Sequence, residues 1–354
     1  MDYRYIGRTG TKVSAFALGG SSFGSRASEE ESIKMIDEAL DFGINLIDTS
    51  NRYGNGESER IIGKAIKNKR QNVILATKFG AEATDKINQS GASRRWIRTA
   101  VEQSLLRLQT DYIDLYQLHH PLEFVDYEEI LITLNDLVRE GKIHHIGTSN
   151  HLGWQMVQAQ AISDRYHIQR FVSEQTPYSM INRRMEFELA EVAKQYDLSL
   201  FVYSPLSGGL LTGKYKAGQA AQSDSRAATL KGYADTLDPE LADNEYKFKI
   251  IEKLHKLANE AGIRLADMAT AFTQSHPSVT STLWGPRTLE QLKAYISGAE
   301  LRLGTDVLDA IDAIVPPGKR IDDKEQTWTP EWMSNERRRR HITDRHSLAG
   351  IKEE

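Results

Sequence analysis

Between Ala15 and Gly298, eight short apolar, β-prone runs alternate with longer segments of helical period. No other feature constrains the fold as much, because βα repetition builds a parallel sheet covered by helices. The runs lie at residues 16–18, 44–48, 73–77, 113–118, 143–148, 171–174, 199–203 and 279–284. Apolar stripes mark helices at 28–42, 59–67, 93–108, 127–140, 153–163 and 185–196, the first behind a Ser-x-x-Glu start at Ser28. Eight strand–helix units match a closed (β/α)8, or TIM, barrel, whereas a doubly wound sheet usually needs only about five to seven strands.

Three segments stand outside that rhythm. YRYIGRTGTKVS, close to the N-terminus, predicts a small β-hairpin that plugs the lower end of the barrel. Residues 205–244, after the seventh strand, make a connection far longer than a usual βα loop, ahead of a helix at 245–261. A final helix at 305–315 is stopped by Pro316-Pro317-Gly318, and a charged arm carrying Trp328 and Trp332 follows. The expected organisation is one barrel domain over 1–315 and a C-terminal arm over 316–354. The barrel's typical ~250 residues plus these additions account for the length without a second domain.

Composition narrows the partners. With 45 Lys and Arg against 49 Asp and Glu, the net charge of −4 gives no electrostatic reason to expect nucleic acid or an anionic membrane. The run Arg337–Arg340 is a local exception, expected to be a solvated patch. The lack of cysteine excludes disulfides, thiolate metal sites and cysteine nucleophiles together. The opening MDYRYIGRTG has no apolar signal-peptide core, and no apolar run approaches the ~18 residues of a membrane span. A cytoplasmic protein is expected, and its oligomeric state is left open by the sequence.

In a barrel the chemistry collects where strands deliver side chains into the βα loops. Strand two ends at Asp48, with Tyr53 five residues on; strand three ends at Lys78 and strand four at His119. A tyrosine, whose phenol ordinarily titrates near ~10, can work as acid or base at neutral pH when an ammonium beside it favours the phenolate. Asp48 would orient Lys78, and neutral His119 would orient a carbonyl or help relay the proton. A metal site is the competing reading, but His119-His120 and His144-His145 are adjacent pairs whose members point to opposite sides of a strand. No metal is therefore expected.

The remaining strand ends suit a flat, amide-bearing cofactor. Ser149, Asn150 and Gln175 can meet both donor and acceptor of a carboxamide, and the Tyr203 ring, followed by Ser204 and Leu206, can stack on a heteroaromatic. SPLSGGLLTGKY imitates a phosphate loop, but Tyr215 stands where a nucleotide hydrolase needs Ser or Thr. Gly208 and Gly209 could still let backbone amides approach a pyrophosphate. After strand eight, Gly285-Pro286-Arg287-Thr288 leads into a helix whose first amides, with Arg287, are expected to form an anion site for a nucleotide 2′-phosphate. No Gly-x-Gly-x-x-Gly follows the first strand, so a Rossmann cofactor site is not supported.

NLIDTSNRYGNGESERIIGKA, ATKFG, DYIDLYQLHHP, GKIHHIGTSN, SEQTPYSM, VYSPLSGGLLTGKY and GPRTLEQL, in that order, resemble the aldo-keto reductase superfamily over about residues 3–315. The resemblance implies a (β/α)8 barrel and metal-free reduction of an aldehyde or ketone with NADP(H). It implies a catalytic tetrad of Asp48, Tyr53, Lys78 and His119, with Tyr53 as proton donor. It also implies carboxamide contacts from Ser149, Asn150 and Gln175, with Tyr203 stacked on nicotinamide. By the same likeness Leu206, Ser207, Gly209, Leu211 and Lys214 fall on the pyrophosphate loop, and Gly285, Arg287 and Gln291 on the adenosine side. Phe23, Phe79 and His120 are expected in the substrate pocket, with residues of the 205–244 loop. Tyr295 replaces an asparagine common near the end of the last motif. His119, rather than glutamate, resembles the carbonyl-reducing members. Two other roles stay open: reduction of a keto sugar in a biosynthetic pathway, and a cofactor-binding regulatory subunit like the potassium-channel β subunits.

Overall fold

Strands β3 (Phe16–Gly19), β4 (Leu46–Asp48), β5 (Ile74–Phe79), β6 (Ile113–Leu118), β7 (Ile143–Ser149), β8 (Phe171–Pro177), β9 (Ser199–Tyr203) and β10 (Val279–Trp284) pair in parallel and close on themselves, β10 against β3. The eight expected runs are thus the eight staves of a barrel. The computed structural model describes residues 1–81, 87–122, 125–216, 219, 238, 241 and 244–321. Around the barrel lie α1 (Glu29–Asp41), α2 (Glu57–Ile66), α3 (Arg94–Leu108), α4 (Tyr127–Arg139), α5 (Gly153–Tyr166) and α6 (Leu189–Tyr196). They are followed by α7 (Glu245–Glu260), α8 (Leu265–Ser275), α9 (Leu289–Ser297) and α10 (Thr305–Ile314).

Local chemistry explains the boundaries. Ser28 and Ser93 cap α1 and α3 by accepting the Glu31 and Trp96 amides. The stretch expected as one helix over 185–196 breaks in two: a 3₁₀ turn at Arg184–Phe187 precedes α6, with Glu188 between them out of helical geometry. Helix α8 has no counterpart among the expected helices, because Leu265, Met268, Ala269, Thr270, Ala271, Phe272 and Thr273 are all buried. A helix enclosed on most sides shows no polar stripe to betray its period.

Two apolar layers result. Ile47, Leu75, Tyr116, Ile146 and Leu200 face the helices, while Ala17, Leu46, Ala76, Leu115, Phe201 and Leu283 fill the barrel. The hairpin of β1 (Tyr3–Tyr5) and β2 (Lys12–Ser14) adds Ile6 and Val13 to the inner layer, both fully buried, so it plugs one end as expected. Side chains alternate along a strand, so every second residue at the other end projects into the barrel mouth. Of the arm over 316–354, residues 316–321 are described: the Arg183 amide bonds Lys319 O and the Ile321 amide bonds Ile181 O. Trp328, Trp332 and Arg337–Arg340 lie outside the described residues, as does most of the expected loop over 205–244.

Candidate active site

Asp48 ends β4 and Lys78 lies next to the end of β5, and the two project into the mouth side by side. The Lys78 ammonium bonds Asp48 Oδ1 and also donates to Thr49 O at 3.0 Å. The other carboxylate oxygen, Oδ2, accepts from Gln117 Nε2 at 3.0 Å and Gln175 Nε2 at 2.9 Å. Burial pulls the Lys78 ammonium down, but the Asp48 carboxylate and the Tyr53 phenol outweigh it, and its pKa rises. Lys78 therefore stays charged in a place where an unpaired ammonium would not.

Tyr53 arrives from the β4–α2 turn, where Gly54, Asn55 and Gly56 all have positive φ. Gly56, at φ 91°, has no space for a side chain: a Cβ there would sit 2.7 Å from Arg107 Cδ. Lys78 Nζ lies 5.3 Å from the centre of the Tyr53 ring, and the His119 ring meets Tyr53 edge-on at 5.8 Å. Burial raises the phenol pKa, and Lys78 works against that rise. His119 Nδ1 is 3.1 Å from Ser50 Oγ, and its ring stacks on His120 at 4.5 Å. Burial, then the charge of Lys78, puts the His119 pKa well below its ordinary value, so its imidazole is neutral at neutral pH.

These side chains open onto a cavity of about 650 Å³, within the range of small-molecule sites. It runs from Asp48, Tyr53, His119 and His120 past Ser149, Asn150 and Gln175, along residues 203–206, Gly208 and Gly209, to Arg287 and Tyr295. Comparison with known families decides what such an arrangement is: the model of the aldo/keto reductase family matches residues 15–316. The chain belongs to that family. It is 38% identical over 331 residues to YrpG of Bacillus subtilis (strain 168), described as an uncharacterized oxidoreductase, covering 90% of this chain and 97% of the relative. It is 37% identical over 304 residues to the aldo-keto reductase YhdN of the same organism, covering 83% and 87%. It is 32% identical over 325 residues to a putative voltage-gated potassium channel subunit beta of Schizosaccharomyces pombe (strain 972), covering 88% and 93%. Carbonyl reduction with a nicotinamide cofactor is the family's chemistry, so the chain is an oxidoreductase for small carbonyl compounds. Among the described residues no helix is long and apolar enough to cross a membrane.

The structure brings most of the expected cofactor contacts of this aldo/keto reductase to the cavity. Asn150 stands at φ 64°, Tyr203 Oη donates to its Oδ1 at 2.7 Å, and its Nδ2 donates to His119 O at 3.0 Å. Ser149 Oγ donates to Gln175 O at 2.9 Å. Gln175, with Nε2 given to Asp48, keeps its Oε1 as the group to present. In the following loop Ser204, Ser207, Gly208 and Gly209 all have positive φ, and Lys214 Nζ would lie 3.4 Å from a Cβ at Gly209. Non-glycine residues in that region store ~1–3 kcal/mol each, which persists at sites the surroundings over-determine. Ser204, Leu206, Gly209 and Lys214 line the cavity. Ser207 is turned instead toward Ser179 Oγ at 2.7 Å, and Leu211 is packed into the core.

Three expectations change. Two of the first amides of α9 are already engaged: Leu289 N donates to Glu31 Oε1 at 2.6 Å and Gln291 N to Thr288 Oγ1 at 3.2 Å, while just ahead of the helix Arg287 N donates to Gln291 Oε1 at 2.9 Å. The Glu31 carboxylate already sits at the positive end of the helix, and the Arg287 side chain lines the cavity beside it. Gln291, on the cavity wall, is tied to that turn. Phe23 and Phe79 are fully buried in the helix-facing core, Phe79 stacked on Tyr116 at 4.6 Å, and neither lines the cavity; of the three expected pocket residues, His120 does.

Gln117 and Ser50 went unpredicted, although both bond site residues. Gln117 carried a signal: it lies two residues before His119 and so shares its face, a polar side chain in an otherwise apolar inner register. Arg26 and Arg264 also line the cavity with no motif to announce them.

Proposed function

We propose that this chain reduces an aldehyde or ketone to the alcohol with NADPH, Tyr53 giving the proton to the carbonyl oxygen. The observation that carries the reading is the meeting of Tyr53, a charged buried Lys78–Asp48 pair and a neutral His119 at one end of a cavity lined further on by amide and hydroxyl groups. The cavity fits a nicotinamide dinucleotide: Gln175 Oε1, Ser149 and Asn150 offer both acceptors and donors for a carboxamide, and Tyr203 offers a flat ring beside them. Bound there, NADPH supplies a hydride for the carbonyl carbon. Every other part of the reaction falls to the protein. His119 and Tyr53 hold the carbonyl oxygen, and a phenol kept protonated by burial is the proton source. Lys78, pinned by Asp48, stabilises the phenolate left behind, which is reprotonated from solvent. Arg287 serves as the partner for the 2′-phosphate.

Tyr53→Phe tests the reading. The variant should bind NADPH as the wild type does and lose roughly 10²–10⁴-fold in turnover across a panel of aldehydes. Wild-type turnover in the variant would sink it. A second reading, a cofactor-binding regulatory subunit, is favoured by the fission-yeast relative named for a potassium channel subunit. Tight NADPH binding with no turnover of any aldehyde or ketone in the panel would select that role instead.

A further inference from the structure

Neighbouring residues on β8 face opposite ways: Gln175 points into the cavity and Glu174 into the layer between barrel and helices, where it is fully buried. A carboxyl group in that layer is expensive, and an apolar residue would pack there at less cost. The Glu174 carboxyl reaches the end of the adjacent strand instead. Its Oε1 accepts the His151 amide at 3.0 Å, and its Oε2 lies 2.5 Å from Thr148 Oγ1. His151 turns back in the same direction, its Nδ1 2.8 Å from Ser149 O. Thr148 and His151 bracket Ser149 and Asn150, and Asn150 has the left-handed φ of 64° that needs its surroundings to hold it.

We propose that Glu174 is a positioning residue: from behind β8 it locks the turn over residues 148–151, so that Ser149 and Asn150 present their side chains to the cofactor in one register. The inference rests on the reading that these two side chains hold the nicotinamide carboxamide. Burial pushes the Glu174 carboxyl up to about 8, so at neutral pH it carries its proton. The neutral acid donates to Thr148 Oγ1, which passes its own proton toward Ser173 O at 3.2 Å, while Oε1 goes on accepting from His151. Glutamine can copy that pattern: its amide donates to Thr148 and its carbonyl accepts from His151. Alanine can copy neither.

The test compares NADPH dissociation constants, kcat at saturating NADPH and melting temperature for the wild type, Glu174→Gln, Glu174→Ala and Asn150→Ala. NADPH binding by the wild type with weakening in Asn150→Ala supports the underlying reading by itself. On that footing Glu174→Ala should bind NADPH about tenfold more weakly, Glu174→Gln within about twofold of wild type, and the loss should fall on cofactor affinity rather than kcat. In a Ser149→Ala/Asn150→Ala background, Glu174→Ala should add less than about twofold, since both groups it positions are gone. Wild-type affinity in Glu174→Ala, a glutamine variant no better than alanine, or a loss from Glu174→Ala that multiplies undiminished in that background would each overturn the proposal while leaving the reading intact. Should Glu174→Ala not fold, Glu174→Met fills the same space without accepting from His151 and carries the same expected loss.

Discussion

Lys78 Nζ is bonded to Asp48 Oδ1 with side-chain exposures of only 1% and 4%, so each charge depends on the other for its place in the barrel. Breaking such a pair from one side strands a buried charge and costs about 3–5 kcal/mol, whereas removing both charges costs less than the sum. Lys78→Met should therefore destabilise by about 3–5 kcal/mol. The double variant Lys78→Met/Asp48→Asn should recover part of that loss, because the amide can still accept from Gln117 and Gln175. Urea unfolding of the single and double variants measures the coupling. Strictly additive losses would mean that the pair does not act as a unit.

Buried titratable groups give the stability a pH profile whose signs can be worked out. Burial raises Glu174 from 4.5 to about 8, so the native state keeps a proton the unfolded chain has released. Its contribution is complete at low pH and is lost as pH rises toward 8. Burial lowers His151 from 6.5 to about 3, and burial, then Arg52 and Lys78, lowers His120 from 6.5 to about 4. These stay neutral in the native state while the unfolded chain takes up protons, so their contribution is lost as pH falls below 6.5. Each group has a limiting slope of ~1.4 kcal/mol per pH unit. Two histidines outweigh one glutamate on the acid side, which puts the maximum near pH ~6.5. Unfolding free energy should fall between about pH 6.5 and 8, and Glu174→Gln should flatten that limb. Stability that rises over that window, or an unchanged slope in the variant, would contradict the assignment.

The eight strands and the four residues at the mouth were legible because barrel geometry turns the end of an apolar run into a polar, inward-facing position: Asp48, Lys78 and His119 each follow this rule. Tyr53 lies beyond the strand, in a turn with three positive φ values that hydrophobic period does not mark, and its residue type five positions after Asp48 is the signal that points to it. Contacts made between strands distant in sequence were less legible. Gln175 is bonded to Asp48 across 127 residues, and Glu31 caps α9 across 258, and neither pairing leaves a local mark. Phe79 shows a different limit, the alternation of faces along one strand: an aromatic next in sequence to a residue that projects into the mouth lies on the opposite face of the sheet, as Phe79 does beside Lys78.

The engagement of the α9 amides sharpens what Arg287 must do. With the Leu289 amide held by Glu31 and the Arg287 amide by Gln291, the proposed reader of a 2′-phosphate is the Arg287 guanidinium, which lines the cavity beside them. A charge-assisted hydrogen bond contributes about 1.5–3 kcal/mol, so Arg287→Ala should weaken NADPH binding roughly ten- to a hundredfold. NADH affinity should stay within about twofold, because NADH has no phosphate there. Dissociation constants for both cofactors in both proteins decide the matter. Equal wild-type affinities for NADPH and NADH would remove the phosphate role from Arg287.

Tyr203 combines a ring on the cavity wall with a hydroxyl that donates to Asn150 Oδ1 at 2.7 Å, and the two can be separated by substitution. That bond ties the end of β9 to the turn after β7, on the opposite side of Asn150 from the bond its Nδ2 gives to His119 O. Asn150 is therefore oriented from both sides, and a side chain fixed in advance loses less entropy when a carboxamide docks against it. Tyr203→Phe keeps the ring and deletes one neutral hydrogen bond, a net loss of about 0.5–1.5 kcal/mol, so NADPH should bind roughly two- to tenfold more weakly. Tyr203→Ala also removes the stacking surface and should weaken binding by about another tenfold. Fluorescence titration with NADPH distinguishes the two steps. Wild-type affinity in the phenylalanine variant would show that the hydroxyl does not orient Asn150 for the cofactor, and equal losses in both variants would show that the ring makes no stacking contact.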